Sequence, residues 1–200
     1  MTGVAGEQAE RTRAAVVAAA QECFLTRGYA ATTMKDIAGL AGVSPQAAYT
    51  VGGKAALLVT VADQALAGDP ARLRALRDER ERDKKLRLLR DVTREWLPMA
   101  HAMTRLFREA SAGDPGLVEA WDAYESRRLA GVRTLVRSFG HLLRPDVSVE
   151  RAADACWALF GGQTADALML GRGWSADEYA DWLADAVDRL LLRRGRGDTV

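Results

Sequence analysis

Two hundred residues carry 28 basic and 27 acidic side chains, a formal net charge of +1, and 48% of positions are hydrophobic. That balance excludes a polybasic nucleic-acid coat, and the length suits a small head plus a larger domain with a core of its own. Cys23 and Cys156 form no C-x-x-C pair, Met1 to Thr12 has no apolar leader-like run, and no stretch reads as a membrane span, so the expected compartment is the cytoplasm.

Taken from the N-terminus, apolar periodicity and capping signals predict helices over about residues 8–27, 33–40, 45–51, 54–67, 70–80, 84–97, 98–112, 115–140, 148–171 and 175–193. No strand alternation competes with them, so the fold class is all-α. The region 28–54 says most about function. Thr33 stands three residues before Asp36, a Thr-x-x-Asp variant of the capping box, with Ile37 and Ala38 turned inward behind it. Gly42 supplies the permissive backbone of a tight inter-helix turn. Ser44 then caps a new helix with Pro45 at its first position, where a missing N–H costs nothing. Ile37, Val43, Ala48 and Val51 are the apolar positions that pack the two helices together. Pro45, Gln46, Ala47, Tyr49 and Thr50 remain outside, and an outward set on a short second helix is a reading head for the DNA major groove.

Just before this unit stand Val16, Val17, Ala20, Cys23 and Phe24, followed by Arg27-Gly28-Tyr29; just after it come Tyr49 and Lys54. On these residues the first quarter of the sequence resembles the tetracycline-repressor (TetR) family of bacterial transcriptional regulators. The segment Tyr49-Thr50-Val51-Gly52-Gly53-Lys54 departs from the family's pattern: it reads one residue short and lacks the family's Phe, whose space Val51 is expected to fill in part. Candidate DNA-binding residues are Thr33, Lys35, Ser44, Pro45, Gln46, Ala47, Tyr49, Thr50 and Lys54. Within this set Gln46 and Ala47 can read base edges, a carboxamide pairing with adenine and a methyl touching thymine. Thr33, Tyr49 and Lys54 suit phosphates, Lys54 because a cation at a helix N-terminus is mildly disfavoured unless an anion lies close. The head is barely basic, with Arg11, Arg13, Arg27, Lys35 and Lys54 set against Glu7, Glu10, Glu22 and Asp36. Affinity must then come from a few placed contacts and from two heads bound at once.

Beyond Lys54, Asp69-Pro70 and Asp114-Pro115 repeat the cap-plus-proline signature, Pro98 is expected to interrupt a periodic stretch, and Ser148 and Ser175 precede long apolar-periodic runs, the latter with Glu178 as a capping box. Every residue from Arg77 to Lys85 is charged, alternating in sign; a mixed run of this kind is expected to be a solvated face rather than a second DNA-contacting stripe. Arg193-Arg194-Gly195-Arg196-Gly197 reads as a frayed end. All five Trp lie after residue 95. Any one of them is accounted for as core. Collectively, the family resemblance implies that Trp96, Met99, Met103, Phe107, Trp121, Tyr124 and Phe160 lie on helices enclosing an apolar effector pocket, with His101, Gln163 and Asp166 as candidate polar anchors. It also implies a homodimer through the last two helices, where Gly161, Gly162 and Ala165 would permit close approach; the alternative is that this pair closes the monomer's own core.

Two His, no metal-ligand spacing, no G-x-S-x-G elbow and no phosphate loop leave catalysis without support, and no cofactor is implied. The expected organisation is a DNA-binding domain over 1–54 and a ligand-binding and dimerisation domain over 55–200. The reading is a ligand-responsive regulator, a homodimeric repressor on a pseudo-palindromic double-stranded operator. Two alternatives stay open: a small-molecule binding protein of this fold without specific DNA binding, and an activator or nucleoid-associated DNA binder.

Overall fold

The computed structural model describes residues 3–193, so the tail beyond Arg193 lies outside the described residues. The helices are α1 (Val4–Ala31), α2 (Met34–Ala41), α3 (Pro45–Val51), α4 (Lys54–Ala67), α5 (Pro70–Asp78), α6 (Arg82–Gly113), α7 (Val118–Ser138), α8 (Val149–Leu159), α9 (Gly162–Ala165) and α10 (Ala176–Leu191). Short 3-10 turns cover Pro115–Leu117 and Gly140–Leu142, and a π-helical turn, Asp166–Leu170, follows α9. No strand occurs among the described residues; Leu143 and Leu192 form an isolated antiparallel bridge. The fold is all-α, with an N-terminal helix-turn-helix and a helical remainder.

Capping chemistry sets most helix starts. Thr33 accepts from the Asp36 amide while the Asp36 carboxylate accepts from the Thr33 amide, a complete box. Ser175 and Glu178 repeat it at α10. Ser44, Asp69 and Ser148 cap α3, α5 and α8, the first two ahead of a proline. Gly42 ends α2 at φ 68°, a left-handed conformation that a side chain would strain.

Three expectations about continuity are corrected. Pro98 does not interrupt: α6 runs through it from Arg82 to Gly113. Proline forfeits one N–H bond to the carbonyl four residues back, and here both Pro98 and Arg94 are exposed, so that carbonyl can meet water. Conversely, the stretch 148–171 is not one helix. It breaks at Phe160-Gly161, where a Cβ added to Gly161 would lie 3.0 Å from the Ala158 carbonyl oxygen. The run 115–140 likewise opens and closes in 3-10 turns around α7.

The charged run is corrected in part. Lys85, its last member, is fully buried. Its Nζ donates to the carbonyls of Leu76, Arg77 and Glu79, the open C-terminal end of α5, at 2.8, 3.0 and 2.9 Å. Burial pulls the ammonium below its ordinary pKa.

The protein packs as two compact units: Met1–Leu66 with Ala102–Tyr124, and Ala67–His101 with Glu125–Val200. The first unit's core joins Val16, Ala20 and Phe24 of α1 to Ile37, Ala48 and Leu58 of the head and to Met103 and Phe107 of α6. Each such fully buried large aliphatic or aromatic residue contributes ~1.5–3 kcal/mol. The second unit holds one cluster around Leu76, Leu89, Val136, Cys156 and Val187 and another around Leu97, Ala165, Tyr179 and Leu183. Most of the apolar stripe of α8 to α10 is therefore spent inside the unit. Ala165 is wholly buried and Gly161 is buried too, so these small residues are core positions rather than an outward stripe. What these helices and the turn between them leave outside is Trp157, Leu170 and Leu190, exposed by 37%, 62% and 54%.

Candidate nucleic-acid interface and sensing groups

The reading head is built from the α1 end outward. α1 kinks at Gly28, whose φ of 78° turns the backbone so that Tyr29 sits beside Phe24, with ring centroids 5.7 Å apart. The Thr32 hydroxyl secures the kink by donating to the Gly28 carbonyl at 2.8 Å. Thr33 and Asp36 then start α2, and Arg27 pairs with Asp36 at 3.0 Å. The Thr33 hydroxyl and amide, with Arg27, hold the Asp36 carboxyl below its ordinary pKa. One of the head's cations is thus neutralised within it.

After the Gly42 turn, α3 presents Pro45, Gln46, Tyr49 and Thr50 as exposed residues with Ala47 half-buried, while Ala48 is fully buried. Tyr49 is 56% exposed. The Thr50 hydroxyl donates back to the Ala47 carbonyl at 2.7 Å, and the Thr33 hydroxyl donates to Asp36 at 2.6 Å. Lys35 and Ser44 are exposed. Val51 packs half-buried against the unit's core. Lys54 is half-buried, and its Nζ donates to the Tyr29 carbonyl at 3.1 Å while lying 4.2 Å from the centre of the Tyr29 ring.

The candidate sensing residues divide between the units. Met103, Phe107, Trp121 and Tyr124 fall in the first. There Phe107, Trp121 and Tyr124 form an aromatic trio with centroids 5.5 to 5.6 Å apart, and the Tyr124 hydroxyl meets Thr104 Oγ1 at 2.7 Å. Trp96, Met99, His101, Phe160 and Gln163 fall in the second. Trp96 packs near Gly68, Met99 and Gln163 are exposed, and Phe160 is half-buried beside the clusters. The structure joins His101 to Asp166: Nε2 lies 2.9 Å from the carboxylate and 3.2 Å from the Gly162 carbonyl. The Gly162 carbonyl can only accept, so that nitrogen carries the hydrogen.

Other groups converge on the same helix break, which sequence reasoning had not singled out. The Arg128 guanidinium donates to the Trp157 carbonyl at 3.2 Å, lies 4.7 Å from the Trp157 ring centre, and pairs bidentately with Glu125. The Tyr179 hydroxyl donates to the Leu159 carbonyl, and Thr164 Oγ1 to that of Ala158. The carbonyls of Trp157, Ala158 and Leu159 at the end of α8 are thus answered by Arg128 of α7, Thr164 of α9 and Tyr179 of α10. The Glu125/Arg128 spacing of three was the one legible hint.

The N-terminal geometry is that of a helix-turn-helix DNA-binding domain: two short helices, a left-handed glycine turn, and an exposed polar face on the second. Residues 16–59 match the family model described as bacterial regulatory proteins, tetR family. The N-terminal domain is thus of the tetR-family type. Beyond it, the fold is shared with solved regulators. A transcriptional regulator from Saccharomonospora viridis in complex with choline is 18% identical, with 91% of this sequence and 98% of that one covered at a TM-score of 0.71. SmeT of Stenotrophomonas maltophilia, repressor of the multidrug efflux pump SmeDEF, is 20% identical in its triclosan complex, with 92% and 93% covered at 0.71. NalD, secondary repressor of the MexAB-OprM multidrug efflux pump in Pseudomonas aeruginosa, is 24% identical, with 94% and 100% covered at 0.61. At these identities the likeness shows the fold. No curated protein matches in sequence. No helix among the described residues is long and apolar enough to cross a membrane.

Proposed function

We propose that this protein is a cytoplasmic, ligand-responsive repressor that binds a pseudo-palindromic operator as a homodimer and is released by a small, mainly apolar effector. The observation that carries the reading is α3 itself, a capped short helix with Gln46 and Tyr49 exposed and Ala48 locked in the core. Gln46 and Ala47 read bases, Thr33, Lys35, Ser44, Tyr49 and Thr50 contact the backbone, and Pro45 sets the helix start. The near-neutral head supports dimeric binding, since one head has little electrostatic affinity. Trp157, Leu170 and Leu190 supply an apolar surface for a second copy. The effector reading draws on the triclosan complex of SmeT, and the polar pair His101/Asp166 among apolar neighbours is its candidate anchor. Effector and operator must weaken one another by the same factor.

Selection from random double-stranded DNA tests this reading. A palindromic consensus is the expected result. Featureless, salt-sensitive binding would mark a nucleoid-type binder, and no binding would leave only a small-molecule binder.

A further inference from the structure

We infer that Trp157 anchors the contact with a second copy of this chain, and that Arg128 is the positioning residue that holds it ready. The inference rests on the homodimer reading above and names the residues that carry it. Trp157 stands in the last turn of α8 and is the exposed one among the Trp residues, the others being half-buried. A surface indole is ordinarily free to change rotamer, and ordering it on association costs free energy. Here it is ordered beforehand. The Arg128 guanidinium, itself buried, donates through Nη1 to the Trp157 carbonyl at 3.2 Å and lies 4.7 Å from the centre of its ring. Its remaining nitrogens reach both oxygens of Glu125, with Nε 3.1 Å from Oε1 and Nη2 2.8 Å from Oε2. One side chain of α7 thus grips the backbone and the ring of Trp157 together, and its charge is answered by Glu125. The hydroxyls of Thr164 and Tyr179 take the next two carbonyls, so the end of α8 is held as well.

What surrounds Trp157 suits a copy of the same surface. The outward arc of α8 carries Arg151, Asp154, Trp157 and Ala158, all exposed. Where a two-fold axis crosses α8, the helix meets its own copy running the other way. Arg151 and Asp154, opposite in sign and one turn apart, can then each face the other across the axis, so no like charges need be brought together. On α10 the carboxylates of Asp177, Asp181 and Asp188 are engaged by Arg94, Arg90 and Arg82 of α6. A different side of α10 carries Trp182, Ala186 and Leu190 in one row, the first two half-buried and the last exposed. An apolar row, a self-complementary pair of charges and an indole fixed in advance are what an isologous contact asks of one surface, and Trp is among the side chains that most often carry the energy of such contacts.

The test measures the dimer dissociation constant of the full chain and of a cycle of variants by sedimentation equilibrium, with circular dichroism to follow helix content. Trp157→Ala is expected to weaken the dimer about a hundredfold or more, since two anchors are lost at once. Arg128→Lys keeps a positive charge for Glu125 but has neither the fork nor the planar cation. It is expected to keep the parent's helix content, to weaken the dimer about tenfold, and to add nothing in the Trp157→Ala background. An unchanged constant in Trp157→Ala would remove the anchor, and an unchanged constant in Arg128→Lys would reduce Arg128 to an ion pair; either overturns the inference. Equal losses from Arg128→Lys with and without Trp157 overturn it too, because Arg128 then does not act through the indole. If Arg128→Lys does not fold, Glu125→Gln combined with Arg128→Gln, which leaves no charge unpaired, takes its place in the cycle and is read the same way. A parent that sediments as a monomer overturns the homodimer reading itself, a result distinct from any within the cycle.

Discussion

The ammonium of Lys85 lies 4.6 Å from the centre of the Phe139 ring, with no exposed surface, while its three N–H groups reach carbonyls at the end of α5. It closes the C-terminus of α5 from the next helix, fitted to the negative end of the α5 dipole. Lys85→Met keeps the stem's volume and leaves those carbonyls without a donor, which is expected to destabilise the protein by about 2 to 4 kcal/mol. The pH dependence has a definite sign. The folded-state pKa is below the ordinary 10.5, so the unfolded state holds this proton more tightly. Stability from this group therefore rises with pH between the folded pKa and 10.5, and the gap between parent and variant in denaturant titrations should widen there. A gap that narrows would contradict the buried ammonium.

Specificity should reside in Gln46. Gln46→Ala is expected to weaken the best operator by ~1–3 kcal/mol and relax preference at one base pair in each half-site. A repeat selection with the variant that returned the parent's consensus would remove Gln46 from base readout.

Assembly is best probed at Leu190, which is 54% exposed and can accept a charge without harm to its own unit. Leu190→Asp is expected to give folded monomers in sedimentation and to lose operator affinity with them. Ala165→Asp, by contrast, would place a carboxylate beside Leu97 and Tyr179 in a closed core and should unfold the second unit, so it reports on packing. A Leu190→Asp protein that remains dimeric places the interface elsewhere.

Cys156 lines a small apolar void of about 10 Å³, and burial pushes its thiol up to about 12. Iodoacetamide at about pH 8, below that thiol's range, should leave it unmodified in the folded protein and label it at the rate of opening. Its folded pKa exceeds the ordinary 9.0, so the contribution is complete below that value and lost as pH climbs toward about 12. Cys156→Ala should lack that part of the alkaline decline. Rapid labelling of the native thiol would show that the void communicates with solvent.

The head was legible because its signals are local. Thr33, Gly42, Ser44 and Pro45 each act within a few residues of themselves, and each sits where its spacing put it. What local pattern could not show was packing between distant segments. Lys85 looked like one more solvated charge because nothing near it reveals that α5 ends on its ammonium. Pro98 looked like a break because a sequence does not say that the residue whose carbonyl it orphans, Arg94, is exposed. The apolar continuity of 148–171 concealed the Gly161 interruption, since groups that answer its carbonyls, Arg128 and Tyr179, come from two other helices. For the candidate sensing residues, spacing cannot tell that Phe107, Trp121 and Tyr124 pack ring against ring in the unit that contains the head, while His101 joins Asp166 in the other.

The ion pair between Arg27 and Asp36 bears on how the protein spends its time in a cell. A genome offers on the order of 10⁶–10⁹ competing sites, and every uncompensated cation on a head raises the occupancy of all of them alike. Arg27 is paired with Asp36 inside the head, and a cation paired in this way adds less to that common attraction than a free one. For the repressor proposed above, fewer molecules would then be sequestered on irrelevant sequence, and occupancy of one operator by a small copy number would depend on both α3 helices of a dimer engaging together.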